Sequence, residues 1–284
     1  MGVVTPAEPT YGGKLGPDYA GTVFQGRLNY RVDPAMLAAT LPPPFRPKLY
    51  GGQGMVGICL IRLRAVRPGF MPSWVGISSE NAAHRAAFEW DEGDQVHAGV
   101  YVRRRDTSSR LNALAGGRLF LGIKSHARFT VSEAAHISRW PFGVTSLSVV
   151  GDVTDGLPAS SVFGSLEKAS SFFQAGSMGY SATPDPRRFQ GMELRCLRWE
   201  VEPLAVSSVQ SSYFEDRSVF QAGAIVFDCA LLMRGIEHEW HGKADLCCAA
   251  PAMPNQPLLQ KPAACQVNGI AQVTGEASAV TAAE

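Results

Sequence analysis

Met55, Gly57, Cys59, Ile61, Leu63 and Ala65 alternate with Val56, Ile58, Leu60, Arg62 and Arg64. The run begins apolar on both faces and ends with one polar face, which predicts a strand leaving a core for water. Val96, Ala98, Val100 and Val102 alternate with His97, Gly99, Tyr101 and Arg103 at a period of two, predicting an antiparallel neighbour. Similar patterning predicts strands over 28–32, 119–131, 146–153, 192–206 and 224–233, bounded by the Gly, Pro, Asp and Ser that turns require. Two segments read as helices. Residues 34–41 have Asp33 as N-cap, Pro34 at the first helical position and prolines at 42–44 as a stop. Residues 161–175 end at Gly176, a natural C-terminal cap.

Mostly strand-forming halves flank the second helix without a low-complexity linker, so the chain reads as one β-rich domain over 20–248. Residues 1–19 read as a flexible N-terminus. Residues 249–284 turn to Ala, Pro, Gln, Thr and Gly without large apolar periodicity and read as a disordered tail.

A chain of 284 residues, 45% hydrophobic, can bury a full core. Its formal charge of +1, from 26 basic and 25 acidic residues, removes the electrostatic case for a nucleic-acid or membrane-surface partner. No window approaches the roughly 18 apolar residues of a membrane span, and the start lacks the pattern of a secretory signal. Pro6 occupies the place where a myristoylation motif needs Ser or Thr. Six scattered cysteines, without CxxC pairs, predict reduced thiols and a cytoplasmic protein. A homo-oligomer is compatible with all of this.

Candidate chemistry concentrates in GGRLFLGIKSHARF, from Gly116. Read as a strand, one face carries Leu119, Leu121, Ile123, Ser125, Ala127 and Phe129, and the other Phe120, Gly122, Lys124, His126 and Arg128. Such a basic face is either a solvated sheet surface or the wall of a cavity. In a cavity, lost hydration and neighbouring cations would lower the pKa of Lys124 and leave an amine nucleophilic toward ketones.

GRLFLGIKSHA resembles the strand of acetoacetate decarboxylase whose first lysine, in a GRExxGxPKK pattern, forms a Schiff base with a β-keto acid. SSENAAHRAAFEW resembles the segment supplying that enzyme's glutamate, which implies Glu80. SLEKASSFFQAGSMGYS and IVFDCALLMRGIEHEW look most like a branch of the superfamily, domain-of-unknown-function family 2071. The resemblance covers most of 20–246. It implies a mainly β, α+β single domain of antiparallel strands in a β-barrel or cone-like sandwich with a few short helices. Counted without gaps from Gly117, Lys124 falls on the proline of the pattern and Ser125 and His126 on its two lysines. A β-bulge or a one-residue shift would bring Lys124 to the equivalent place.

The expected function is binding of a small carboxylate or carbonyl compound, extending to Schiff-base lyase or decarboxylase chemistry on a keto acid. Lys124 is then the amine and Glu80 the acid or base, with His126 completing the catalytic set. Arg118 and Arg128 would hold the substrate's negative charge, and Tyr101 is a third substrate-binding candidate. No cofactor or metal is expected. The alternatives are a non-catalytic binding module on the same scaffold and a metal-assisted lyase or hydrolase using Glu80, His84 and His126. Ser165 and Lys168 match an SxxK spacing, but without SDN or KTG elsewhere Ser165 reads as a helix cap. Asp228, inside the apolar run AIVFDCALLM, requires a buried partner, with an arginine expected.

Overall fold

The structure is a computed structural model that describes residues 4–7, 19–68, 72, 74, 76–115, 124–131, 137–141, 146–183, 185, 187–196 and 198–248. It begins with β1 (Val4–Ala7), β2 (Tyr19–Val32), α1 (Pro34–Thr40), β3 (Arg46–Pro47) and β4 (Leu49–Tyr50). Three long strands follow: β5 (Gln53–Pro68), β6 (Ile77–Glu92) and β7 (Gln95–Thr107). Next come α2 (Arg110–Ala115), β8 (Ser125–His126), β9 (Thr130–Val131), β10 (Ile137–Pro141) and β11 (Ser146–Val153). The chain continues through α3 (Leu166–Gln174), β12 (Met178–Ala182), β13 (Arg188–Cys196), β14 (Glu202–Ser211) and β15 (Ile225–Cys248).

Among the described residues, fifteen strands form one mixed sheet in the order β13-β12-β7-β6-β5-β2-β15-β14-β11-β10-β9, with the short strands attached at its sides. The mainly β, α+β fold with a few short helices is as expected, and the expected antiparallel β-barrel or cone-like sandwich is refined in two details. β12 and β8 both run parallel to β7. The sheet as a whole is also not closed, although β13 pairs back to β15. The reason lies in β15, whose 24 residues pair with β2 along one edge and are shared between β14 and β13 along the other. Ala230–Leu232 pair with β14, while His238–Cys247 pair with β13. Gly235, at φ 60, sits between the two stretches, where a left-handed backbone suits glycine. Strands β14, β11, β10 and β9 consequently leave as an open arm, while the β13–β15 pairing wraps the longer strands around an interior space.

The predicted caps hold for α1, where the Asp33 carboxylate accepts from Ala35 N at 2.9 Å and Met36 N at 3.1 Å. The second helix starts later than the expected residue 161. Ser161 spends its hydroxyl on Asp228 at 2.8 Å, Gly164 turns the chain at φ 67, and Ser165 caps α3 instead. The strand expected over 192–206 is two strands, β13 and β14, separated by the segment that carries Trp199. Of the strand expected over 119–131, residues 119–123 lie outside the described residues. Beyond them only Ser125–His126 and Thr130–Val131 are extended and paired. Within the start read as flexible, Val4–Ala7 pair with the end of β15. Cys59, Cys196, Cys229 and Cys248 are free, but Cys247 is disulfide-bonded, so the expectation of reduced thiols does not extend to it.

The larger apolar core packs aromatic rings between the faces of the curled sheet, with Phe45 at 4.4 Å from Phe88 and 4.8 Å from Phe189. A second cluster, around Phe163, Phe173 and Met55, seats α3. Among the described residues no helix is long and apolar enough to cross a membrane.

His84, 2% exposed and 4.3 Å from the Tyr213 ring, is embedded at the edge of the larger core. Burial, and then the charge of Arg104, push its pKa down to about 3. Unfolded, the imidazole takes a proton near its ordinary value of about 6.5. Stability is therefore unaffected above about 6.5 and falls as pH drops toward 3, by up to about 1.4 kcal/mol per pH unit. Urea unfolding at pH 7 and pH 5 should show a loss about 2 kcal/mol smaller in His84→Gln than in the wild type. Equal losses in the two proteins would exclude His84 as the source.

Candidate active site

The interior space is a cavity of about 210 Å³, bounded by β2, β5, β6, β7, β12 and β13 together with Lys124, Trp199 and Trp240. It has room for roughly seven waters at about 30 Å³ each, which suits a small metabolite. Strand alternation selects what reaches it. Cys59, Ile61 and Leu63 of β5 face inward, opposite Ala83, Asn81 and Ser79 of β6. Arg62 faces the other way and pairs with Glu80 directly across the ladder.

One row of paired residues crosses four strands: Arg27 on β2, Cys59 on β5, Ala83 on β6 and Arg105 on β7. At about 4.8 Å per strand the two arginine backbones stand roughly 14 Å apart along the sheet. The small side chains of Cys59 and Ala83 form the floor between them. Arg85 lies one rung away, paired with Gly57. Its Nη2 donates to Asn29 Oδ1 at 2.9 Å, and its guanidinium lies 5.2 Å from the Phe173 ring. Asn29 is oriented for this because its Nδ2 donates to Cys229 O at 3.3 Å. Glycine is required at 57: a Cβ there would fall 2.5 Å from Leu28 O and 3.5 Å from Arg85 Nε. Asp106, 1% exposed, belongs to the cavity wall at the end of β7, but its carboxylate turns to the other face of the strand, where both oxygens accept from Arg104 Nε at 3.0 Å and Oδ2 lies 4.0 Å from His84 Nδ1. Burial raises its pKa against the opposing pull of Arg104.

Lys124 immediately precedes β8. Parallel pairing of Ser125 with Asp106 carries Lys124 alongside Arg105. The amine lines the cavity, and burial followed by the positive charge of Arg105 pushes its pKa down to about 8. Arg105 is itself pushed down to about 10 by burial and donates to the Ser181 hydroxyl. Arg105→Gln removes the cation and leaves the burial. The pH midpoint for acetylation of Lys124, followed by peptide mass, should rise from about 8 toward the ordinary value of about 10.4 without reaching it. An unchanged midpoint would mean that burial acts alone.

The six residues singled out in the sequence are not gathered into one site. Lys124 lines the cavity. Glu80 is bound to Arg62, its backbone N–H donates to Ser108 Oγ at 3.0 Å, and it does not line the cavity. His126 and Arg128 are exposed, on either side of buried Ala127. Tyr101 leaves β7 on the face opposite Val100 and Val102 and packs 6.1 Å from Phe189. Arg118 lies outside the described residues. Among the described residues no group of three His, Cys, Asp or Glu side chains is placed to hold a metal ion. Sequence reasoning missed Arg27, Arg85 and Arg105. The available signal was polar Gln25, Arg27 and Asn29 recurring at a period of two beside apolar Leu28 and Tyr30.

The fold is that of the acetoacetate decarboxylase-like structures. Acetoacetate decarboxylase from Legionella pneumophila superposes with a TM-score of 0.55 at 12% identity, over 81% of this chain and 87% of that one. An acetoacetate decarboxylase-like enzyme from Sphingomonas wittichii RW1 gives 0.51 at 12% identity, over 80% and 92%. The enduracididine biosynthesis enzyme MppR complexed with pyruvate gives 0.50 at 12% identity, over 84% and 98%. These likenesses establish the fold. Within it, residues 27–224 match domain-of-unknown-function family 2071, described as an uncharacterized conserved protein, and the chain belongs to that family. No curated protein matches the chain.

Proposed function

We propose that the protein binds a small keto acid in the cavity and that Lys124 attacks its carbonyl carbon. The observation that carries this reading is the presence of Lys124 in the same cavity as Arg27, Arg85 and Arg105. The arginines attract a carboxylate, and the amine beside them is unprotonated often enough to react. Its nitrogen lone pair forms the C–N bond, the carbonyl oxygen leaves as water, and a protonated imine remains. That imine accepts the electron pair of a carbon–carbon bond cleaving next to it. Decarboxylation releases carbon dioxide and gives an enamine, which takes a proton on carbon before hydrolysis frees the product. The names of the similar structures, decarboxylases and a pyruvate complex, agree with this substrate class.

Sodium borohydride reduction in the presence of single keto acids tests the proposal. A mass gain equal to the reduced imine, mapped to Lys124, supports it. Lack of any gain across the panel, or a gain spread over other lysines, refutes the chemistry and leaves a binding protein.

A further inference from the structure

We infer that the cavity takes a doubly anionic oxo acid, an oxo dicarboxylate, whose second carboxylate is received by Arg27 and Arg85 at the end remote from Lys124. The identity of the carbonyl end rests on the amine chemistry proposed above. The inference about the other end stands on separate observations.

Four basic residues, Arg27, Arg85, Arg105 and Lys124, line the cavity, and the one acidic residue of its wall, Asp106, has its carboxylate on Arg104 instead. The cations form two groups. Arg105 and Lys124 are adjacent across the β7–β8 pairing, whereas Arg27 stands three strands away from Arg105 along the paired row. A single carboxylate held beside the amine would leave Arg27 uncompensated. Arg27 is 4% exposed, and its Nε and Nη1 have no hydrogen-bond partner among the described residues. Buried guanidinium donors left in that state are costly, so the arrangement implies an acceptor that arrives with the ligand. Trp199 lies 4.8 Å from the guanidinium carbon and is tethered through Nε1 to Ser170 Oγ at 2.8 Å. A ring so placed occupies one face of the guanidinium and leaves its edge for two parallel hydrogen bonds to a carboxylate. The proximity of Arg85 depresses the pKa of Arg27 further, and an anion between the two would relieve that repulsion. The floor of Cys59 and Ala83 keeps the path between the two groups clear. A four- or five-carbon oxo diacid suits a cavity of about 210 Å³.

Calorimetric titration of the full chain at neutral pH with glutarate and with pentanoate tests the remote end alone, because neither compound has a carbonyl that can form an imine. Glutarate should bind at least about 30-fold more tightly, a ratio within the usual strength of a charge-assisted pair. In Arg27→Gln that ratio should fall below about threefold. Comparable affinities of the two acids for the wild-type protein would overturn the inference whether or not the variant folds. Borohydride adducts with 2-oxopentanoate alongside such equal affinities would leave the amine chemistry standing. Selective glutarate binding without any borohydride adduct would support the two-ended cavity and refute the imine.

Discussion

Lys124→Ala is expected to abolish borohydride-dependent adduct formation with every keto acid that labels the wild-type protein. The size of the loss follows from what the site does to the amine. A lysine at its ordinary pKa of about 10.4 is about 0.04% unprotonated at pH 7, whereas one at about 8 is about 9% unprotonated. The cavity thus supplies roughly a 200-fold enrichment in reactive amine, which no surface lysine can replace. Wild-type labelling should rise about tenfold per pH unit below 8 and then level off. The sign of the stability effect separates lost chemistry from lost folding. Because the folded state depresses this pKa, the unfolded chain binds the proton more readily, and burial of Lys124 penalises the fold below about pH 8. The penalty fades as pH rises from about 8 to about 10.4. At pH 7 the alanine variant should therefore melt no lower than the wild type while failing to react. Trapping that persisted in the variant, with the adduct on another lysine, would remove Lys124 from the reaction.

The sequence made Lys124 legible for a specific reason: a cation next to glycine in an otherwise strand-like run stands out locally. Its partner did not stand out. Arg105 belongs to the run RRRD after a well-patterned strand, and three consecutive arginines there carry no local sign of burial. A shift in the pairing of β6 with β7, between His84 and Arg85, lets Arg105 reach the cavity while Arg103 stays exposed. Periodicity alone cannot show such a shift. His126 and Arg128 illustrate the converse. Continuous alternation would place them beside Lys124, but the strand breaks after two residues, and Ala127 is drawn inward by its N–H donating to Thr107 O at 2.9 Å. β6 went unread because its alanines, serines and charged residues carry neither an apolar stripe nor strong β-propensity. It is held as a strand by long ladders to β5 and β7. The small residues that obscured β6 are also what leave space for a ligand.

Asp228→Ala is expected to destabilise the fold by about 2–4 kcal/mol, a lowering of the melting temperature by roughly 10 °C. The carboxylate is fully buried in β15, where the sequence demanded a partner, and it has three. Ser161 Oγ donates to Oδ2 at 2.8 Å, Val162 N donates to Oδ1 at 2.9 Å, and Arg31 Nε lies 3.2 Å from Oδ1. Alanine would leave the first two donors without an acceptor in a place that water does not easily reach. Arg31, partly exposed, can turn to solvent, so its share of the loss is small and Arg31→Ala should cost under about 1 kcal/mol. Denaturant unfolding of the two variants measures the difference, and a cost for Asp228→Ala equal to that for Arg31→Ala would show the clasp on Ser161 and Val162 to be idle. The damage should also reach the cavity. That clasp fixes the approach to Phe163 and α3, and α3 places Phe173 against the Arg85 guanidinium. An arginine deprived of that support loses its fixed orientation. Asp228→Ala should accordingly weaken glutarate binding even under conditions where the protein remains folded, which links a carboxylate that never meets the ligand to the geometry that holds it.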